Sequence, residues 1–107
     1  MNQLDLKSAH METVCAILSR HLAGREVRAF GSRVRGVAKP YSDLDLALLG
    51  EQLQLLSNLT DLADNFTESV LHFKVDIVDW ATTNESFRKV IAAEHLILQE
   101  PDARAAR

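Results

Sequence analysis

Residues 30–50 read FGSRVRGVAKPYSDLDLALLG. Two like charges, Asp43 and Asp45, sit here among leucines that otherwise spell a buried strand. The Asp-Leu-Asp-Leu alternation has the period of two expected of a strand, so Leu44 and Leu46 point to one face and both carboxylates to the other. Carboxylates held side by side repel and raise each other's pKa, which costs stability unless a cation lies between them. A divalent metal removes the conflict, and hard cations such as Mg²⁺ prefer carboxylate oxygen. A bare D-x-D is more often a solvated edge strand whose charges guard against aggregation. The surrounding residues tilt the balance here.

Upstream, EVRAF (26–30) reads as a short strand ending at Gly31-Ser32. Gly31 lets the backbone approach a ligand closely. Ser32 is placed to cap a short helix, SRVRG, and helix N-termini attract phosphate. Arg33 and Arg35 put cations beside that position. Pro40 bars a regular central strand and makes the next stretch a loop. Downstream, FKVDIVDW (73–80) is rich in β-branched residues and reads as another strand. Paired beside the first acidic segment, it brings in Asp76 as a third carboxylate. Asp79 falls on the other face at the strand's end and reads as a turn or cap. Three carboxylates on adjacent strands suit two-metal phosphoryl chemistry on a nucleoside triphosphate. No G-x-x-x-x-G-K-[ST] run is present, so a Walker-type phosphate loop is not indicated.

In the remainder of the chain, Met11, Val14, Cys15, Leu18 and Leu22 recur at helical spacing and predict a helix from about Leu6 to Ala23, stopped by Gly24. Leu53, Leu56, Leu59 and Leu62 predict a second long helix, Leu53 to Val70. Thr83 or Asn84 caps a last one, with Phe87, Val90, Ile91 and Leu98 on one face and Pro101 at its end. The order α-β-α-β-α-β-α predicts a small α/β (α+β) domain over residues 1–101, a short three- to four-stranded mixed sheet flanked by helices, and a tail at 102–107.

Length and composition narrow the function. A chain of 107 residues with 47% apolar residues supports one core. A net charge of −3 argues against general nucleic-acid binding. One cysteine, Cys15, cannot form an internal disulfide, and with no signal-like or membrane-length apolar run the expected setting is the cytoplasm. His10, His21, His72 and His95 have no metal-ligand spacing with Cys15. Trp80 reads as core, with a base or a partner as the other uses for its ring, and Tyr41 as a loop residue near the acidic pair.

Gly31-Ser32, ten residues, then Asp43-Leu44-Asp45 resembles the G-S-x₁₀-D-x-D signature of the polymerase-β nucleotidyltransferase superfamily. The longer pattern GSRVRG…SDLDLAL…FKVDIVDW resembles the minimal nucleotidyltransferases, the MNT antitoxins encoded beside HEPN-domain toxins, from the first helix to Leu98. The resemblance implies that Gly31 and Ser32 contact nucleotide phosphates, with Arg33 and Arg35 near them. It implies that Asp43 and Asp45 ligate metal, and that Asp76 both ligates it and serves as, or orients, the base for the acceptor hydroxyl. It further implies Mg²⁺, in two ions, ATP as substrate, and AMP transfer to a tyrosine hydroxyl of a cognate HEPN ribonuclease, which is thereby silenced in a heteromeric complex. The alternatives are an antitoxin that neutralises its toxin by binding alone and a transferase acting on a small hydroxylated molecule. Once the sheet and helices are built, few of the 107 residues remain to hold an acceptor, so the acceptor is expected to come from a partner.

Overall fold

Leu44, Leu46 and Leu48 are fully buried, and the strand they define lies inside a four-stranded sheet. The computed structural model describes residues 4–50 and 56–101. Its elements are α1 (Ser8–His21), β1 (Val27–Phe30), α2 (Ser32–Arg35), β2 (Leu44–Leu48), α3 (Leu56–Glu68), β3 (Val75–Asp79), a 3₁₀ turn (Trp80–Thr82), α4 (Glu85–Ala93) and β4 (Leu96–Gln99). The sheet order is β3-β2-β1-β4. β1 runs antiparallel to β2 and β4, and β2 runs parallel to β3. The parallel pair is the one joined through a helix, α3, as a crossover requires.

The strands sort their residues by face. Val27 and Ala29 of β1 join the β2 leucines in the main core, under Val14, Ile17, Leu18 and Leu22 of the first helical segment and Leu62 and Phe66 of α3. Fully burying each such side chain contributes about 1.5–3 kcal/mol, so this layer holds the fold together. Phe30 and Ala47 face the opposite way and meet Ile91 of α4, with Val78 and Trp80 packed alongside. Trp80 is partly buried, packed against the edge of this cluster rather than inside it. α4 covers Ala47 on this second face but leaves Asp45, two residues earlier, only partly buried. The candidate site occupies that uncovered end.

Two expectations change. The last helix ends at Ala93, and Leu96–Gln99 forms a fourth strand against β1 instead of continuing the helix. Leu96 and Leu98 turn into the core while Ile97 stays exposed, a period of two rather than 3.6. The Gln99 amide then donates to the carbonyls of Leu22 and Arg25 at 2.7 and 2.8 Å, closing the sheet edge. Ser32 is the first helical residue of α2, and Gly31 takes the cap position, at φ 84° and ψ −155°. Of the two candidates for the cap of α4 it is Asn84, whose side chain accepts from the Phe87 N–H at 2.8 Å. The predicted starts at Leu53 and the tail at 102–107 lie outside the described residues.

Asp79 does cap the turn after β3, accepting from the Ala81 N–H. It also takes a 2.9 Å ion pair from Arg25, whose Nε donates to the Leu49 carbonyl at 2.8 Å. The Asp79 side chain is only 8% exposed. Asp79→Ala is expected to cost about 2–4 kcal/mol in urea unfolding, because it removes a cap and an ion-pair acceptor of a nearly buried guanidinium. Asp79 does not line the cleft on the opposite face, so the substitution should leave that cleft's geometry unchanged.

Candidate active site

The β2–β3 register sets Asp45 directly beside Asp76, between the pairs Leu44–Val75 and Leu46–Ile77. Adjacent strands lie about 4.8 Å apart, so the two carboxylates share one patch of the sheet face away from the leucines. On the other side Asp45 pairs with Phe30, the last residue of β1. The chain then turns through Gly31, close against the Asp45 carboxylate. A methyl group on Gly31 would stand 2.4 Å from Asp45 Oδ2. A cleft of about 670 Å³ opens here, with Gly31, Arg35, Asp45 and Asp76 on its polar side. Phe30, Phe87 and Val90 form its apolar wall. The Phe30 and Phe87 rings meet edge to face at 5.6 Å.

The electrostatics carry the strain expected of clustered acids. The Asp45 carboxyl is pushed above the usual carboxylate range, first by burial and then by the negative charges of Asp76 and Asp43. A cation absent from the sequence-based expectations answers part of this. Lys74 Nζ lies 3.2 Å from Asp76 Oδ1, and its own pKa is raised by that hydrogen bond and by the charges of Asp76 and Asp43. The signal was present, because Lys74 immediately precedes β3 and, in extended chain, a residue two before Asp76 falls on the same side.

The structure brings together some of the predicted site residues and not others. Gly31, Arg35, Asp45 and Asp76 line the cleft, whereas Ser32 and Asp43 are outside its lining. Asp43 is exposed just ahead of β2, near enough for its charge to bear on Asp45. Arg33 also lies outside the lining. Two residues along a helix correspond to a turn of about 200°, so Arg33 and Arg35 cannot both face the same ligand. Arg35 faces the cleft, and Arg33 is buried, its guanidinium donating to the carbonyls of Asp5, Pro40 and Ser42. Of the histidines, His10 and His72 meet edge to face at 5.9 Å, and His21 and His95 lie elsewhere. His10 packs on His72 and Phe73, His21 bonds Asn65, and His95 bonds the Ile91 carbonyl. Burial pushes the Cys15 thiol up, away from reactivity.

As metal donors, Asp43, Asp45 and Asp76 offer only hard oxygen, which suits Mg²⁺. Among the described residues no three or more His, Cys, Asp or Glu side chains are gathered closely enough to hold a metal ion. Two carboxylates face each other with a third charge nearby, and the excess negative potential at Asp45 is what a divalent cation relieves. By donor chemistry and by charge, the residues fit such an ion.

Residues 12–104 match the family model described as "Polymerase beta, Nucleotidyltransferase". The chain is 46% identical over 101 residues to "Probable protein adenylyltransferase MntA" of Haemophilus influenzae, covering 94% of this chain and 88% of that one. Its fold is similar to a chain in the crystal structure of a toxin–antitoxin with AMP-PNP, with a TM-score of 0.72 and 20% identity over 90% of this chain and 77% of that one. It is also similar to a chain in the structure of tri-AMPylated Shewanella oneidensis HEPN toxin in complex with MNT antitoxin, with a TM-score of 0.66 and 20% identity over 88% of this chain and 72% of that one. With a family match running almost end to end and a relative that shares nearly half its residues, this chain belongs to the polymerase beta nucleotidyltransferase family.

Proposed function

We propose that this protein is an antitoxin that transfers AMP from ATP to a tyrosine hydroxyl of a HEPN-domain ribonuclease toxin and so inactivates it. The observation that carries the reading is the register that sets Asp45 beside Asp76, with Gly31 closing over the carboxylate. In the proposed reaction the tyrosine oxygen bonds to the α-phosphorus, the bond from that phosphorus to the bridging oxygen breaks, and pyrophosphate leaves. Asp76 accepts the hydroxyl proton. Asp45 and Asp76, with Asp43, would hold Mg²⁺, in two ions. The chemistry such ions supply is positive charge on the triphosphate and a more acidic acceptor hydroxyl. Arg35 holds phosphate charge from the cleft side, and Gly31 gives the phosphates close access to the backbone; Ser32, the first residue of α2, is proposed to meet them from beyond the cleft lining. Of the predicted nucleotide contacts, Arg33 alone is left out, for the reason given above.

The name of the Haemophilus relative supports adenylyl transfer, and the Shewanella complex, in which the toxin is the AMPylated member, supports a protein acceptor. Residues 1–101 are proposed as the catalytic domain and 102–107 as a tail. Among the described residues no helix is long and apolar enough to cross a membrane, and a cytoplasmic setting is proposed from the lone cysteine. The test is incubation of the protein with α-labelled ATP, Mg²⁺ and the HEPN protein encoded beside it. Label is expected on the toxin, and it should be absent for Asp45→Ala with Asp76→Ala and in the presence of EDTA. No label with the wild-type protein, or equal label with the double variant, would overturn the reading. Neutralisation of the toxin without label would assign the inhibition to binding.

A further inference from the structure

We propose that Arg33 is a positioning residue. From inside the fold it locks together the three segments that carry the candidate site (the Gly31 turn, the loop leading to Asp43, and the start of the strand bearing Asp76), without touching the nucleotide. This rests on the reading of the cleft as a nucleotidyl-transfer centre.

Arg33 is the one buried charged residue of the core, 5% exposed, among the described residues. No carboxylate neutralises it there, and every acceptor around it is a backbone carbonyl. Its Nε and Nη2 both donate to the Ser42 carbonyl, at 3.1 and 2.8 Å. Nη2 also donates to the Pro40 carbonyl at 3.1 Å, and Nη1 to the Asp5 carbonyl at 2.8 Å. The flat face of the guanidinium lies 4.2 Å over the Phe73 ring. The Asp5 N–H returns a bond to the Arg33 carbonyl at 2.8 Å.

The Asp5 carbonyl belongs to the segment ahead of α1, and the remaining contacts lead to parts of the site. Arg33 is two residues beyond Gly31, on the one turn of α2. Ser42 immediately precedes Asp43. Phe73 immediately precedes Lys74, whose carbonyl accepts from the Leu44 N–H at 2.9 Å ahead of the β2–β3 ladder, and whose ammonium pairs with Asp76. The loop itself is closed only locally, by Ser42 N–H to the Lys39 carbonyl and Lys39 N–H to Ser42 Oγ. Arg33 is what fastens that small turn to the body of the fold. Regular strand pairing cannot do so here, because Pro40 lacks an N–H and its ring fixes the chain. A rigid five-donor fork can satisfy several divergent carbonyls at once while stacking on a ring, which a lysine ammonium cannot.

A lost fastener lets Asp43, outside the ladder, drift relative to the paired Asp45 and Asp76, and errors of about 1 Å in such a constellation cost on the order of 10²-fold in rate. The test compares wild type, Arg33→Lys and Arg33→Met at a temperature where circular dichroism shows each to be folded. The first readout is amide hydrogen exchange, which does not depend on catalysis. Exchange should accelerate at residues 39–45 and 73–76 and stay at wild-type rates in α1 and α3. The second is steady-state AMP transfer, where kcat should fall about 10²-fold with the ATP KM held within about threefold, the signature of lost geometry rather than lost binding. Arg33→Lys should not rescue, and millimolar guanidinium should partly restore kcat in Arg33→Met. A large rise in ATP KM with kcat intact would place Arg33 on the nucleotide and overturn the proposal. So would unchanged exchange at 39–45, or a kcat per folded molecule equal to wild type. If the wild-type protein transfers no AMP, the nucleotidyl-transfer reading has failed, and the exchange pattern alone decides whether Arg33 organises these segments.

Discussion

Asp45→Asn is expected to lower AMP transfer by on the order of 10³-fold while leaving the protein as stable as wild type or slightly more so. The opposite signs have one cause. In the folded protein the Asp45 carboxyl is pushed up from its ordinary value of 3.8 by burial and by the charges of Asp76 and Asp43. The native state therefore holds this proton more tightly than the unfolded chain does. Below 3.8 both states are protonated and the group costs nothing. As pH rises from there through the raised native value, the unfolded chain ionises first and stability is lost. Above that window the full cost of a crowded carboxylate remains. Asparagine removes it, so the stability difference between variant and wild type should grow as pH rises through the window and stay flat above it. Asp45 is partly solvated, so screening limits the gain to at most about 1 kcal/mol, or a few degrees in Tm. Adding Mg²⁺ with ATP should reverse the order, because ligand binding raises the Tm of wild type and not of the variant. Thermal melts at several pH values, with and without Mg²⁺-ATP, check both signs. Asp45→Asn that kept its transfer activity would remove Asp45 from the mechanism.

The same residue shows how much of the site a sequence can carry. The alternation around Asp43 and Asp45 makes β2 legible, because a strand buried on one side must repeat every second residue. The β-branched run around Asp76 does the same for β3. Their neighbourhood follows from a strand–helix–strand succession, which makes a parallel pair. The register that sets Asp45 against Asp76 rather than one residue away is decided by packing of Leu44, Leu46 and Ile77 in three dimensions. β4 escaped because four residues, Leu-Ile-Leu-Gln, are too few for a period to separate helix from strand, and the open edge of β1 settles the choice. Arg33 and Arg35 look equivalent in the string. The rotation of a helical turn separates them, but which of the two faces inward depends on the carbonyls waiting in the 40–42 loop. Lys74 was readable in principle, as the same-side neighbour of Asp76, but a lysine at the mouth of an acidic site resembles any solvated surface charge until its partner is seen.

Gly31→Ala is the second large effect, and it separates backbone strain from site geometry. Gly31 sits at φ 84° and ψ −155°, a region held almost solely by glycine, where a side chain costs about 1–3 kcal/mol. The added methyl would also lie 2.4 Å from Asp45 Oδ2 and 3.4 Å from its Cγ. Asp45 cannot retreat into the sheet, because its backbone is fixed on both sides by the pairings with Phe30 and Asp76 and flanked by the fully buried Leu44 and Leu46. Its carboxylate must swing away from Asp76, or the β1–α2 turn must lift. Either movement breaks the proposed metal set, so AMP transfer should fall by on the order of 10²–10³-fold. Gly36 provides the control. It too has a positive φ, 75°, but a methyl there meets nothing within 4 Å. Gly36→Ala should therefore lose about 1 kcal/mol in urea unfolding and keep its transfer rate. A double variant completes the argument. In an Asp45→Ala background the clashing oxygens are gone, so Gly31→Ala should cost only its backbone strain, and the two substitutions should couple favourably by about 1 kcal/mol. If instead Gly31→Ala and Gly36→Ala lose stability equally and both retain transfer, close contact between Gly31 and the carboxylate has no part in the chemistry.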